Sequence, residues 1–214
     1  MPSLAWPLIL GFGLGLSLAV PPGPILALAA ERTVNRGFWP GVSVPLGATT
    51  GDGTQALLMG LGILPVLAAF PLVLAGVNVL GAGLLFAFAW LAWQSARQGA
   101  DPTDAADPDQ HDGGVLVGGF WGGYMLALTS PYNFAWWLSV GTALFQDYGP
   151  LLFIGFFAAL VAWSFAFVAL TAWASERVEG VVVWISYASA LLLAGFGVVV
   201  LRGAVMDLVA LTGA

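Results

Sequence analysis

Charge is the scarcest property of this sequence. Asp, Glu, Lys and Arg make up only 7% of its 214 residues, against about 25% in soluble domains. Apolar residues account for 60% and mean hydropathy is +0.95, so the chain reads as an integral membrane protein. Lysine is missing: the five basic residues are Arg32, Arg36, Arg97, Arg177 and Arg202. Such scattered positive charge excludes a nucleic-acid surface, which needs clustered basic residues. A phosphate-binding loop of the Gly-rich-plus-Lys type is excluded too, which favours a secondary carrier over an ATP-driven pump. Without cysteine there are no disulfides, thiolate metal sites or cysteine nucleophiles. The single His111 lies in a polar loop, too little for a His-based zinc site or a Ser-His-Asp triad. No metal and no cofactor is therefore assigned; a metal role for His111 and its neighbouring aspartates is the lesser reading. No G-x-S-x-G or H-E-x-x-H occurs, so an enzyme is not expected.

What is abundant is uncharged length. A spanning helix needs about 20 apolar residues, and the uncharged runs predict six spans near 6–30, 38–62, 66–95, 114–144, 149–174 and 180–203. The opening "MPSLAWPLIL" has no positive n-region and apolar sequence continues to Ala30, so it reads as a first span rather than a cleaved signal peptide. The turn at "GLGILP" separates spans two and three. Arg32, Arg36, Arg97 and Arg177 fall on one side of such a bundle and only Arg202 on the other. The positive-inside rule then puts both termini outside the cytoplasmic membrane. The Pro- and Asp-rich stretch "GADPTDAADPDQHDGG" reads as a disordered cytoplasmic linker.

That linker divides the chain into a first three-helix repeat at 1–98, an acidic linker at 99–113 and a second three-helix repeat at 114–214. Shifting the first half by 109 positions brings Pro22 onto Pro131, Pro24 onto Asn133, Gly13 onto Gly122, and the Pro40-Gly41 turn onto Gly149-Pro150. An odd number of spans per repeat inverts one copy relative to the other, a transporter architecture with binding near the midplane. The expected fold is an all-α polytopic membrane protein. Its six helices form two inverted repeats, with the first and fourth helices broken at proline.

Three groups of residues stand out for chemistry. Pro21, Pro22, Gly23 and Pro24 pair with "LTSPYN", which contains Ser130, Pro131 and Asn133. Irregular backbone at membrane depth survives only where protein or water satisfies it. The half-helix after Pro24 points its positive dipole end at such a place, which suits a carboxylate; a plain packing kink is the alternative. Asp52, in "GATTGDGTQALL", is the only acid deep in any span and has to be neutral or paired there. It is a candidate proton carrier or binder of a substrate amine, with Thr49, Thr50, Thr54 and Gln55 expected as partners. Capping a helix break or pairing with an arginine is its structural alternative. Trp136 and Trp137 follow the second break and either line the pathway or pack in the core. Gly11/Gly15, Gly37/Gly41, Gly47/Gly51 and Gly119/Gly123 have the small-xxx-small spacing of close helix contacts, and permit a homodimer. Asn78, which the same shift sets opposite Tyr187, is a polar group inside a span, either interhelical glue or a ligand. Trp6, Trp39, Trp93, Trp173 and Trp184, near span ends, read as an interfacial belt facing lipid.

The stretch "PPGPILALAAERTVNRGFWPGVSVPLGATTGD" resembles the opening signature of the LysE/RhtB amino-acid exporters. The match falls at Pro22, Gly23, Pro24, Arg36, Gly37, Gly41, Gly47, Gly51 and Asp52. In the second half "TSPYNFAWWLSVGTALF" stands where the family carries an Asn-Pro-Lys-like break followed by aromatics. Pro131 is kept, with Ser130 in place of the usual Asn and Tyr132 where many members have Lys. The resemblance covers essentially the whole chain. It implies efflux of amino acids or small derivatives, with substrates ranging from basic to neutral, driven by an ion gradient; the two inverted repeats suggest alternating access around a midplane cavity. The expected substrate-binding residues are Pro22, Gly23, Pro24, Thr49, Thr50, Asp52, Ser130, Pro131, Asn133 and Trp137, with Asp52 also coupling protons. A cation or metal-ion transporter or channel of the same superfamily is the alternative, yet Asp52 is the only embedded acid. An intramembrane aspartyl protease is a weaker one: "TTGDG" has Thr49 where that motif needs glycine, and a second acid at membrane depth is missing. A scaffold without transport is the third.

Overall fold

The computed structural model describes residues 5–63, 66, 69–98, 113–138, 150–177 and 181–212. Proline sets many of the helix starts. Helices α2 (Pro24–Arg36), α4 (Pro71–Gln98) and α7 (Pro150–Arg177) begin on proline, as does the short α6 at 131–138. At the first helical position the missing N–H costs nothing and the fixed φ favours the helix. The remaining helices are α1 (Ala5–Ala19), α3 (Phe38–Gly60), α5 (Gly113–Thr129) and α8 (Val181–Thr212).

The expected breaks are present. Helix α1 ends where the amide of Val20 donates to Leu16 O at 2.9 Å, and α2 leaves at 76° to it. Gly23 between them is extended, with φ −160°. Helix α5 stops at Thr129 and α6 starts at residue 131, with Ser130 between them. Gly37, joining α2 to α3, has φ +92°, in the region that favours glycine.

Among the described residues, three segments are long and apolar enough to cross a membrane: Ala75–Gln94, Pro150–Arg177 and Val183–Met206. The bent pair α1 and α2 makes a fourth if the two helices are one broken span. The predicted second and fourth spans do not join this set. The polar run around Asp52 makes the continuous helix α3 too polar, and the break at Ser130 leaves α5 at 17 residues. Helix α8 also extends past the expected end of the sixth span, to Thr212. The acidic linker at 99–112, with His111, lies outside the described residues, as do Leu64 and Pro65 of the expected "GLGILP" turn and the end of the fourth predicted span.

Helix α1 packs on α7, α3 on α5, α4 on α8, and α2 against α3 and α8. Glycine permits two close crossings, of α1 with α7 and of α3 with α5. Gly11 and Gly15 rest on the backbone of Leu152 and Phe156, and Gly155 on that of Leu8. Gly47 rests on Phe120, Gly51 on Tyr124 and Ala127, and Gly123 on Val44. Lipid tails are as apolar as leucine, so helices associate through such close contact rather than through burial from water. The pair Gly37/Gly41 departs from expectation: Gly37 is the turn, while Gly41 sits on Thr33 of the preceding helix. The five belt tryptophans are all exposed, from 39% at Trp93 to 76% at Trp184, which suits residues facing lipid.

Candidate functional site between two broken helices

The two breaks face one cavity of about 460 Å³. Pro21, Pro22, Gly23 and Pro24 line it from the first; Ser130, Pro131, Tyr132 and Asn133 line it from the second. At the first break, Gly23 caps α2 without any side-chain hydrogen bond and Pro24 has no N–H to offer. The first-turn residues Ile25 and Leu26 line the cavity, so the positive end of α2 lies on its wall. The second break has a side-chain cap. Ser130 Oγ accepts from the amide of Asn133 at 3.3 Å, and Ser130 O from Phe134 N at 3.0 Å. Serine is a strong N-cap, so Ser130 suits the start of α6.

Asp52, only 4% exposed, contributes to the same lining. Its Oδ1 accepts from Asn133 Nδ2 at 2.8 Å and from Trp137 Nε1 at 3.5 Å. Both donors belong to α6, so these bonds tie the first half of the chain to the second. Among the described residues, Oδ2 receives no hydrogen bond, and Asp52 is the one charged group lining the cavity.

The expected partners of Asp52 are a correction. The Thr49 hydroxyl donates to Pro45 O at 2.9 Å, Thr50 to Leu46 O at 3.0 Å and Thr54 to Thr50 O at 3.1 Å. Gln55 Nε2 donates to Ala127 O at 3.2 Å. A hydroxyl in a helix has the i−4 carbonyl within reach, and that local acceptor takes the proton.

Of the predicted site residues, Pro22, Gly23, Pro24, Thr49, Asp52, Ser130, Pro131 and Asn133 converge on the cavity. Thr50 is outside its lining. Trp137 is outside it too: fully buried, it stacks edge-on against Trp136 and Phe156 and supports Asp52 from behind. Both tryptophans of the pair are core. Asn78 lines the cavity, whereas Tyr187, its counterpart in the repeat shift, packs edge-on against Trp93 at 5.1 Å. Ser164 and Trp163 of α7 also line it and were missed. Ser164 is the single hydroxyl in the run "PLLFIGFFAALVAWSFAFVAL", a signal that the sequence did carry. Among the described residues no group of three or more His, Cys, Asp or Glu converges to hold a metal.

Helices packed on glycines, two of them broken at proline beside one cavity, are consistent with a polytopic membrane protein. Residues 16–204 match the LysE type translocator family, and the chain belongs to it. The protein is therefore a transporter and not an enzyme. Among its relatives is the chemotactic transduction protein ChpE of Pseudomonas aeruginosa, 30% identical over 200 residues, covering 88% of this chain and 94% of ChpE. Another is the provisionally named amino acid efflux protein YcgF of Bacillus subtilis. It is 25% identical over 171 residues, covering 80% of this chain and 73% of YcgF. No solved structure matches the chain significantly.

Proposed function

We propose that the protein exports amino acids or small amino-acid derivatives across the cytoplasmic membrane, exchanging them for protons by alternating access. The observation that carries this reading is Asp52: a buried carboxylate held by donors from the other half of the chain, on the wall of a cavity between two helix breaks. A carboxylate kept from water needs a proton or a cation. In this reading Asp52 takes the substrate ammonium on the cytoplasmic side and trades it for a proton on the other. The substrate carboxylate turns to the positive end of α2. The name of YcgF agrees with the substrate class.

Inverted repeats give this exchange its two symmetric states. Adding 109 to α1 (5–19) gives 114–128, beside α5 at 113–129; adding it to α3 (38–60) gives 147–169, beside α7 at 150–177; adding it to α4 (71–98) gives 180–207, beside α8 at 181–212. The same exchange turns the α1–α7 crossing into the α5–α3 crossing and leaves the α4–α8 pair in place. These coincidences support two copies of one unit, and three spans per copy imply inversion. Both termini lie outside in this reading, with Arg32, Arg36, Arg97 and Arg177 at the cytoplasmic face.

The test is an untargeted comparison of metabolites exported by cells with and without the protein, followed by counterflow of the hits in proteoliposomes. An amino acid or close derivative enriched outside expressing cells, and carried in liposomes, is expected. A metal ion as the only solute moved contradicts the reading in favour of the cation-transporter alternative.

A further inference from the structure

We propose that the exported substrate is a neutral amino acid with an apolar side chain. This rests on the export reading and on the composition of the cavity wall. Asp52 is the single charged group lining the cavity among the described residues, and the α-ammonium occupies it. A lysine or arginine side chain would bring a second positive charge with no counter-charge waiting, and an aspartate or glutamate side chain a negative charge with no cation. Unpaired charge away from water is strongly disfavoured.

A polar side chain finds few hydroxyl donors on the wall. The hydroxyl protons of Thr49, Thr129 and Ser164, all on the wall, are committed to carbonyls of their own helices: Pro45 O at 2.9 Å, Met125 O at 2.7 Å and Leu160 O at 2.7 Å. The Tyr132 hydroxyl reaches Ser17 O at 3.4 Å. Asn78 adjoins Ser130 and Pro131 in a second, smaller cavity as well as this one, so it belongs with the break and the zwitterion's head group. Trp163, also on the wall, keeps a buried indole N–H without a partner among the described residues; the rest of what meets the side chain is hydrocarbon: Ile25, Leu85, Leu126, Leu160, Phe196 and Val200.

Proteoliposomes loaded in turn with glycine, alanine, valine, leucine, lysine, glutamate or serine, and tested for counterflow of the same labelled amino acid, separate this inference from the reading beneath it. Apparent affinity is expected to rise from alanine to leucine by about fourfold per added methylene, the equivalent of about 0.8 kcal/mol for each one buried. Lysine and glutamate should fall at least about tenfold below leucine. A flat series, or lysine or glutamate carried as well as leucine, overturns the selectivity while leaving amino-acid export standing. Counterflow of none of the seven overturns the selectivity, and with no amino-acid derivative among the exported metabolites it overturns the export reading as well.

Discussion

At the scale of single residues the site turns on one carboxylate oxygen. Asn133 Nδ2 and Trp137 Nε1 both donate to Asp52 Oδ1, which fixes the carboxyl group and leaves its other oxygen for what enters the cavity. Losing a buried donor to a charged group costs about 1–3 kcal/mol. Asn133→Ala is therefore expected to weaken apparent substrate affinity about tenfold in liposome counterflow, with the helical circular-dichroism signal unchanged. Affinity equal to wild type would mean that Asn133 does not position Asp52. Asp52 was legible in the sequence because it is the one acid deep in a span. Its partners were not. Neighbouring threonines within a turn looked closer, but each bonds its own helix, and the true donors come from 81 and 85 positions away. Sequence distance hides such pairing until the packing of α3 against the second half is known. Ser130 is a related case: as the N-cap of α6 it tolerates Ser130→Asn, while Ser130→Ala should cost about 1 kcal/mol, read as a lower melting temperature in detergent.

At the scale of elements, proline and glycine do opposite work. Proline opens helices at 24, 71, 131 and 150, and those starts follow from its missing N–H and fixed φ. Both breaks were readable from composition alone. The 76° bend at the first was not, since proline ends a helix without specifying where the chain goes next. Glycine instead brings helices together. A Cβ at Gly123 would meet the backbone of Val44, whereas one at Gly13 meets nothing within 4 Å. Gly123→Ala should destabilise the protein by about 1–3 kcal/mol or more, the usual cost of overpacking. Gly13→Ala should be neutral. Paired thermal-melt measurements check this, and equal melting of the two variants would remove the α3–α5 crossing as a source of stability. Spacing alone marked four glycine pairs and did not separate Gly37, which forms a turn, from those at crossings; that depends on the neighbouring helix.

At the scale of the molecule, the packing of α1 on α7 echoes that of α3 on α5, and the two breaks meet at one cavity. The absence of cysteine offers a direct look at this arrangement. A single Thr49→Cys, on the cavity wall, should react with a small membrane-impermeant thiol reagent applied from either side, and substrate should slow the reaction. Reaction from one side only, unaffected by amino acids, would argue against alternating access. The central claim is that Asp52 exchanges a proton for the substrate. Asn at position 52 keeps an oxygen to accept from Asn133 and Trp137, so Asp52→Asn should fold normally. The most direct measurement is amino-acid flux driven by an imposed pH gradient in proteoliposomes of wild type and Asp52→Asn, with internal pH recorded together with the labelled substrate. Coupled movement of proton and amino acid in wild type, and neither driven by the gradient in Asp52→Asn, is the predicted result. Undiminished pH-driven flux in the folded variant would contradict the account.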